Sequence, residues 1–201
     1  MKQILIATHN PGKIIEYKII LRNLPLKLVT LHDLGIAAEP EEDGATFEEN
    51  AIKKSEYYSR LANLPVIAED SGLEIDYLNG EPGVYSRRWP GYKATDEELV
   101  EMTLQKLKGV PYEKRTAQFR VAMAYQASRY DKAVTAEGIL RGIILEKVAA
   151  PIIPGFSFRS LFFVSEIKKT LGEMNIEEEA RVAHRRKAIE KLMALILQSD
   201  Q

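Results

Sequence analysis

The sequence predicts a single mixed α/β domain that covers residues 1–201. Short apolar segments typical of strands alternate with segments of helical spacing, in the order β-α-β-α-β-β-α-β-β-α. This order is the pattern of a mixed sheet with helices around it. No linker, internal repeat or low-complexity stretch interrupts the sequence, and its length suits one domain with its own hydrophobic core.

The first third of the chain is predicted to form two strands and two helices. These are a strand at residues 2–7, a helix from Lys13 to about Leu24, a strand from Leu26 to Leu31 and a helix from Thr46 to about Ala62. Pro25 ends the first helix, because its ring cannot continue a helix. Glu49 follows Thr46 at the spacing of a capping box, which marks the start of the second helix.

The remaining elements follow from the same kinds of pattern. They are two short strands within residues 66–78 around Asp70-Ser-Gly72, a helix from Thr95 to Lys108, strands at Gln118–Gln126 and Ala133–Leu145, a loop at 148–160, a short helix from Ser165 to Leu171, and a long closing helix from Glu177 to Gln198. The closing helix places its apolar residues on one face, namely Ile189, Leu192, Met193, Ile196 and Leu197.

Composition excludes several classes of protein. The 28 Lys and Arg residues balance 29 Asp and Glu residues, which argues against a sequence-independent nucleic-acid binder. The absence of cysteine excludes disulfides, thiolate zinc sites and cysteine nucleophiles. No apolar run approaches the roughly 18 residues that span a bilayer, and the N-terminus lacks the pattern of a signal peptide. We therefore expect a cytoplasmic protein without a membrane or nucleic-acid partner.

The stretch ATHNPGK at residues 7–13 joins a strand to a helix. It is not a Walker loop, because Ala7 replaces the first glycine and Ile14 replaces the hydroxyl residue that follows the lysine. Such a turn can still present backbone N–H groups to an anion, with the charge of Lys13 beside them. The alternative is an ordinary helix start capped by Asn10.

Two further stretches carry charged residues at positions where they could act on a ligand or a metal ion. Lys54 lies about one helical turn after Asn50 in a helix that follows acidic residues 41–43. Glu69 and Asp70 come at the predicted end of an apolar strand, where carboxylates are well placed to bind Mg²⁺ or to act as a general base. The alternatives are a charged helix exposed to solvent and an aspartate turn.

The closing helix contains the stretch AHRRKA at residues 183–188. His184 and Arg185 offer hydrogen-bond donors to a ligand. The alternative is a basic patch on the surface of a helix.

The order and spacing of these stretches resemble the inosine triphosphate pyrophosphatase family, whose members hydrolyse non-standard purine nucleoside triphosphates. The matching segments are ATHNPGKIIEY at 7–17, GATFEENAIKKS at 44–55, PVIAEDSGLEIDYLNGEPGVYSRRWPG at 65–91, RTAQFRVAMAY at 115–125 and AHRRKAIEKL at 183–192. The resemblance extends from end to end of the chain. It implies an elongated mixed sheet with helices around it, two lobes with a central cleft, and a homodimer.

The resemblance also implies the roles of individual residues. Thr8, Asn10, Lys13 and Lys54 would hold the triphosphate, Ser71 and Gly72 would lie at the phosphates, and His184 and Arg185 would approach the base. Glu42 and Asp70, with Glu69 nearby, would hold Mg²⁺. Asp70 and Lys54 are the expected catalytic residues, and Asp70 would orient or deprotonate the water that attacks the α-phosphorus. The products would be a nucleoside monophosphate and pyrophosphate.

The base-binding stretch departs from the family pattern. The family has Gly-Phe-Gly-Tyr-Asp-Pro where this chain has Gly155-Phe-Ser-Phe-Arg-Ser160, and Phe156, Phe158 and Arg159 are the expected base-binding residues. Arg159 replaces an acid, and Glu179 replaces a lysine of the family. Two hypotheses follow: a shifted nucleotide preference, or an Arg159–Glu179 ion pair that restores a similar pocket. An alternative function is a nucleotide-binding homologue that has lost turnover.

Overall fold

The computed structural model describes residues 2–199, and it describes side chains as far as Ile196. The predicted position of Leu197 on the closing helix therefore lies outside the described side chains. The elements are β1 Lys2–Ala7, α1 Pro11–Ile20, β2 Leu26–Thr30, α2 Phe47–Ala62, β3 Val66–Ile75, α3 Asp96–Lys106, β4 Thr116–Gln126, β5 Val134–Ile144, β6 Phe162–Val164, β7 Lys169–Thr170, α4 Ile176–Val182 and α5 His184–Ser199.

The strands form one mixed sheet in the order β2-β1-β3-β4-β5-β6-β7. β1 is parallel to both β2 and β3, and β6 is antiparallel to both β5 and β7. The mixed α/β class predicted from the sequence is therefore confirmed. Within the described residues, no helix is both long enough and apolar enough to cross a membrane.

The chain forms two compact units, each assembled from separate segments. The first contains the described parts of residues 1–71, 121–138 and 184–201, and the second contains residues 72–120 and 139–183. Each unit has apolar core residues of its own. The chain passes from one unit to the other four times, at 71/72, 120/121, 138/139 and 183/184.

The helix α1 begins at Pro11, two residues earlier than predicted, and ends at Ile20. The side chain of Asn10 caps it, accepting hydrogen bonds from the backbone N–H groups of Gly12 at 2.9 Å and Lys13 at 3.3 Å. Pro11 suits the first helical position because its fixed φ is already helical and its missing N–H is not needed there.

The strand β3 corrects the prediction of two short strands. It is one strand of ten residues from Val66 to Ile75, so Asp70 lies in its middle and not at its end. Charged residues within a buried strand are tolerated only when they are paired. Glu69 and Asp70 both have such partners, which are described below. β1 ends at Ala7, opposite Ala68, so Glu69 is the first residue of β3 beyond the end of β1.

Two apolar clusters of the first unit show which way the side chains of β3 point. Ile67 packs with residues of α1 and α5, among them Tyr17 and Ile189. Val66 and Ala68 pack in a second cluster that includes Tyr58 of α2. This alternation is the normal period of a strand, and it assigns α1 and α5 to one face of β3 and α2 to the other.

The closing helix is the second correction. The structure has two helices there, α4 and α5, separated by Ala183, whose φ of −52° and ψ of 128° are not helical. Alanine favours helix, so tertiary packing decides the break. As a result, His184 and Arg185 lie in the first turn of a new helix and not in the middle of a long one.

The segment 165–171 is the third correction. The predicted short helix is absent, and the chain instead forms β6, a turn and β7, with Phe163 opposite Thr170. Lys168 in the turn has a φ of 57°, which a helix does not allow. Periodicity cannot separate a helix from a strand over so few residues.

Gly138→Ala tests the packing between β5 and α5. The added Cβ would lie 1.9 Å from the backbone oxygen of His184 and 2.9 Å from the backbone nitrogen of Ala188. Because backbone atoms cannot rotate away, such overpacking costs about 1–3 kcal/mol, or roughly 2–12 °C in Tm for a chain of this size. We expect lower Tm and faster hydrogen exchange in the first turns of α5.

Gly142→Ala is the matched control on the same strand. Its Cβ would lie 2.4 Å from the ring of Phe162 in the second unit, so Tm should also fall. Exchange at the start of α5 should not change. Equal exchange in both variants would contradict the role assigned to Gly138.

Candidate active site

The first charged cluster lies on the face of β3 that packs against α2. The ammonium of Lys54 is 2.5 Å from Glu42 Oε1 and 3.6 Å from Asp70 Oδ1. Asp70 also accepts a hydrogen bond of 2.9 Å from Asn50 Nδ2 and one of 2.9 Å from the backbone N–H of Ser71. One cation therefore faces two carboxylates, which leaves the cluster with a net negative charge.

The environment shifts the pKa of both central groups. Burial raises the pKa of Asp70, and the nearby Glu42 raises it further, while Lys54 opposes them without cancelling the effect. Burial would lower the pKa of Lys54, but Asp70 and Glu42 outweigh burial and raise it. The lysine thus keeps its charge, and Asp70 becomes a stronger base than an exposed aspartate.

Asn50 is a member of this cluster that the sequence did not assign. Its Oδ1 accepts a hydrogen bond of 2.8 Å from the backbone N–H of Gly44, so its Nδ2 is held toward Asp70. A Cβ at Gly44 would lie 2.6 Å from Asn50 Oδ1, which explains the glycine. The signal in the sequence was the spacing of four residues between Asn50 and Lys54, which places both on one helix face.

The second charged cluster lies on the opposite face of β3, against α1 and α5. Glu69 is buried, and its oxygens accept hydrogen bonds from Tyr17 at 2.7 Å and from Arg185 Nε at 3.0 Å. Its Oε1 is also 2.8 Å from the ammonium of Lys13. Burial alone would raise the pKa of Glu69, but Arg185 and Lys13 outweigh it and hold the pKa well below its ordinary value.

Arg185 connects this cluster to the rest of the face. Its NH1 donates to Glu16 Oε2 at 3.0 Å, and its NH2 donates to Ser71 Oγ at 3.1 Å. Burial would lower the pKa of Arg185, but the Glu69 and Glu16 carboxylates raise it above its ordinary value. Two cations, Lys13 and Arg185, therefore face two carboxylates, and the cluster is balanced.

The turn between β1 and α1 holds two more of the predicted residues, Thr8 and Asn10. The hydroxyl oxygen of Thr8 accepts a 3.2 Å hydrogen bond from the backbone N–H of Asn10. Asn10 in turn accepts hydrogen bonds from the N–H groups of Gly12 and Lys13, as in the alternative of a capped helix start. What this turn offers an anion is therefore chiefly the Lys13 side chain.

Three more of the predicted residues, Ser71, His184 and Gly72, lie at separate positions. Ser71 joins the Glu69 cluster, consistent with the alternation along β3. His184 is buried at the start of α5, next to Gly138. Gly72 follows on β3 as the first residue of the second unit.

The loop Gly155–Ser160 of the second unit is attached at two points. At the first, Asp96 accepts hydrogen bonds from the backbone N–H of Gly155 at 2.9 Å and from Ser157 Oγ at 2.5 Å. Arg87 lies 2.5 Å from the same carboxylate. The serine that replaces a family glycine therefore has a partner in this chain.

At the second point, Arg159 forms an ion pair with Glu179 of α4. The predicted pair is thus confirmed. The guanidinium carbon of Arg159 lies 4.6 Å from the centre of the half-buried Phe156 ring, which is the geometry of a cation–π contact. Phe158 is buried in the core of the second unit.

Comparison with known proteins identifies the relatives of the chain. Residues 4–195 match the model of the Ham1 family. The chain belongs to the Ham1 family. It is 42% identical over 196 residues to a protein of Bacillus subtilis named dITP/XTP pyrophosphatase, covering 98% of both chains. It is 43% identical over 189 residues to a protein of the same name from Geobacter sulfurreducens, covering 94% of both.

Solved structures agree with this family membership. A HAM1 protein from Coxiella burnetii has a TM-score of 0.85 and 31% identity, with 98% of this chain and 100% of that chain covered. The Staphylococcus aureus Ham1 protein has a TM-score of 0.83 and 36% identity, with both chains fully covered. The resemblance to the inosine triphosphate pyrophosphatase family is therefore confirmed.

The donor set on the α2 face fits a hard cation. In residues 2–199, no group of three or more His, Cys, Asp or Glu side chains is gathered as a metal site. Glu42 and Asp70, however, both face the ammonium of Lys54. Mg²⁺ prefers one or two carboxylates and completes its shell with water and substrate phosphate oxygens. The two carboxylates and the negative charge left over therefore suit Mg²⁺ bound together with a phosphate ligand.

Asp96→Asn tests the attachment of the loop. Burial alone would raise the pKa of Asp96, but its bonds to Ser157, Gly155 and Arg87 outweigh burial and lower it. Its contribution to stability is therefore present above 3.8, the ordinary value, and is lost as the pH falls below it. We expect urea unfolding at pH 7 to show a loss of about 1–3 kcal/mol.

Two further measurements complete this test. The difference from the parent protein should shrink as the pH falls below 3.8. Glu97→Gln removes an exposed charge from the same helix end and should cost less than about 1 kcal/mol. A difference that persists unchanged at acid pH would show that the Asp96 carboxylate is not the stabilising group.

Proposed function

We propose that this protein is a Mg²⁺-dependent nucleoside triphosphate pyrophosphohydrolase. Its substrates are non-standard purine nucleotides such as dITP, ITP and XTP, which it converts to the monophosphate and pyrophosphate. Membership of the Ham1 family and two relatives named dITP/XTP pyrophosphatase support the proposal. The structural observation that carries it is the Lys54–Asp70–Glu42 cluster next to Lys13 at the end of β1.

The end of β1 is the proposed position of the phosphates. β1 stops at Ala7, so residues 69–71 of β3 continue past it. Lys13 reaches this position from one face of β3, and Lys54 reaches it from the other. A triphosphate carries about four negative charges, and preorganised cations that stabilise such charge are usually the largest contribution to catalysis.

Asp70 is the proposed catalytic base. Its hydrogen bond from Asn50 fixes the carboxylate, and its raised pKa brings it closer to the value at which a base works best. It accepts the proton of the water that attacks the α-phosphorus, and pyrophosphate leaves with the electron pair of the broken bond. Mg²⁺, held by Glu42 and Asp70 when bound, supplies further charge for the phosphate oxygens.

The proposal has four further parts; the cytoplasmic location rests on composition, and the other three rest on the resemblance. The chain acts as one domain, as a homodimer and in the cytoplasm. The loop Gly155–Ser160 and His184 recognise the base.

A nucleotide-binding homologue without turnover is the second candidate. The altered loop Gly155–Ser160 favours it. The preserved Asp70, hydrogen-bonded and with a raised pKa, argues against it, because a protein that only binds nucleotides does not need a base poised for water activation.

Pyrophosphate release from a panel of nucleoside triphosphates with Mg²⁺ tests the function. The panel contains the inosine, xanthosine and four standard nucleotides in ribose and deoxyribose forms. We expect release from dITP, ITP or XTP, and a loss of at least about 10²-fold in Asp70→Asn because the general base is removed. Nucleotide binding without release from any of them would favour the second candidate.

Two neighbouring lysines give a matched comparison in the same assay. Lys54 is largely buried between Glu42 and Asp70, whereas Lys53 pairs with Asp43 on the surface. Lys54→Gln should lower kcat/KM by about 10²-fold, and Lys53→Gln should change it less than twofold, since exposed pairs contribute little. Equal effects would remove Lys54 from the site.

We expect the Arg159–Glu179 pair to preserve base selectivity. Arg159→Asp places two carboxylates together, and Glu179→Lys places two cations together, so each single change should impair activity toward dITP. The double change restores one charge of each sign and should recover most of it. The coupling free energy expected for residues in contact is about 0.5–3 kcal/mol. Additive losses in kcat/KM would contradict the role of the pair.

A further inference from the structure

The second charged cluster raises a question that the proposed function leaves open. The family resemblance placed Glu69 near the metal together with Glu42 and Asp70. Adjacent residues of a strand point to opposite faces. In this structure Asp70 points toward Lys54 and Glu42, and Glu69 points toward Lys13, Tyr17 and Arg185.

The two clusters also differ in their net charge. The Asp70 cluster has one cation for two carboxylates and attracts a further cation. The Glu69 cluster has two cations for two carboxylates, and both oxygens of Glu69 already accept hydrogen bonds. A metal ion at Glu69 would displace Lys13 or Arg185 from a carboxylate that is 2% exposed.

The contacts of Glu69 join three elements of the first unit. Lys13 and Tyr17 are four residues apart on α1, and so lie on one helix face. Arg185 comes from the first turn of α5, and Glu69 itself from β3. Its carboxylate is the common point at which the side chains of α1 and α5 are held against the strand.

Lys13 is more open to solvent than the other charged members of this cluster. Its side chain is 19% exposed, against 2% for Glu69, 6% for Arg185 and 14% for Glu16. Among the described residues its ammonium contacts Glu69 and, at 3.4 Å, Ser71. An ammonium has three N–H donors, so Lys13 can be held by Glu69 and still donate to an anion.

We propose that Glu69 is a positioning residue that, held by Tyr17 and Arg185, aims the Lys13 ammonium at the phosphates, and that it is not a ligand of the metal. This inference rests on the proposed function. Tyr17, on α1, takes part in the same positioning, because its hydroxyl donates a hydrogen bond to Glu69 Oε2. A substitution of either residue then acts on the binding of nucleotide through Lys13.

The test separates phosphate binding from metal binding. Affinity for dITP is measured by calorimetry in EDTA, and the Mg²⁺ concentration for half-maximal pyrophosphate release is measured separately. Glu69→Gln should weaken metal-free dITP binding by roughly 10–100-fold, as misplacement of a positioned group does, and should change the Mg²⁺ requirement less than threefold. Glu42→Gln should show the reverse pattern.

Two milder variants keep the test valid if Glu69→Gln does not fold. Tyr17→Phe keeps the buried ring and removes one hydrogen bond to Glu69, and should weaken metal-free binding by about 3–10-fold. Glu69→Asp keeps the charge with a shorter reach and should retain more affinity than Glu69→Gln. A purely structural role would lower Tm without changing metal-free affinity at temperatures where the variants are folded, and that result would overturn the proposal.

The remaining outcomes also decide the question. A Mg²⁺ requirement that rises in Glu69→Gln as much as in Glu42→Gln, with metal-free binding unchanged, would make Glu69 a metal ligand and overturn the proposal. If the parent protein binds dITP but releases no pyrophosphate, the proposed function fails. The metal-free affinities of the variants still decide the role of Glu69 in that case.

Discussion

The alternation of side chains along β3, beyond the point where β1 ends, is the constraint on which the candidate site depends. It sends Asp70 toward α2 and Glu69 with Ser71 toward α1 and α5. Two carboxylates next to each other in sequence thereby enter clusters of different charge. Under the proposed function, the negatively charged cluster is the place for a cation, and the balanced cluster on the opposite face of β3 holds Lys13 for an anion.

The balanced cluster in turn depends on where α5 begins. Arg185 reaches Glu69 and Glu16 only because the chain leaves the helical conformation at Ala183 and starts again at His184. Gly138 allows this start to lie directly against β5. Breaking such a buried pair by removing one partner typically costs 3–5 kcal/mol, because the other charge is left unpaired. The position of α5 is therefore tied to the chemistry of the site as well as to the core.

Local signals in the sequence were sufficient for the caps of α1 and α2. Asn10 and Thr46 cap helices within three residues of themselves, so their roles could be predicted without the fold. The continuity of β3 and the break at Ala183 could not be predicted in this way. Both bear on the contact between Glu69 and Arg185, which are 116 residues apart in the chain and which no local pattern brings together. The Arg159–Glu179 pair joins residues that are much closer in the chain, and the exchange of the two charges relative to the family made it predictable.

If the loop Gly155–Ser160 recognises the base, as proposed, the exchanged pair also limits which bases it can distinguish. A buried guanidinium pays a large desolvation cost unless a carboxylate faces it, and Glu179 meets that requirement within the second unit. Arg159 therefore brings no net charge to the loop, and a preference for an anionic base does not follow from the arginine alone. What the exchange does change is which partner donates and which accepts hydrogen bonds. Discrimination by such a loop then rests on the placement of donors and acceptors, where one unsatisfied buried group is enough to reject a ligand.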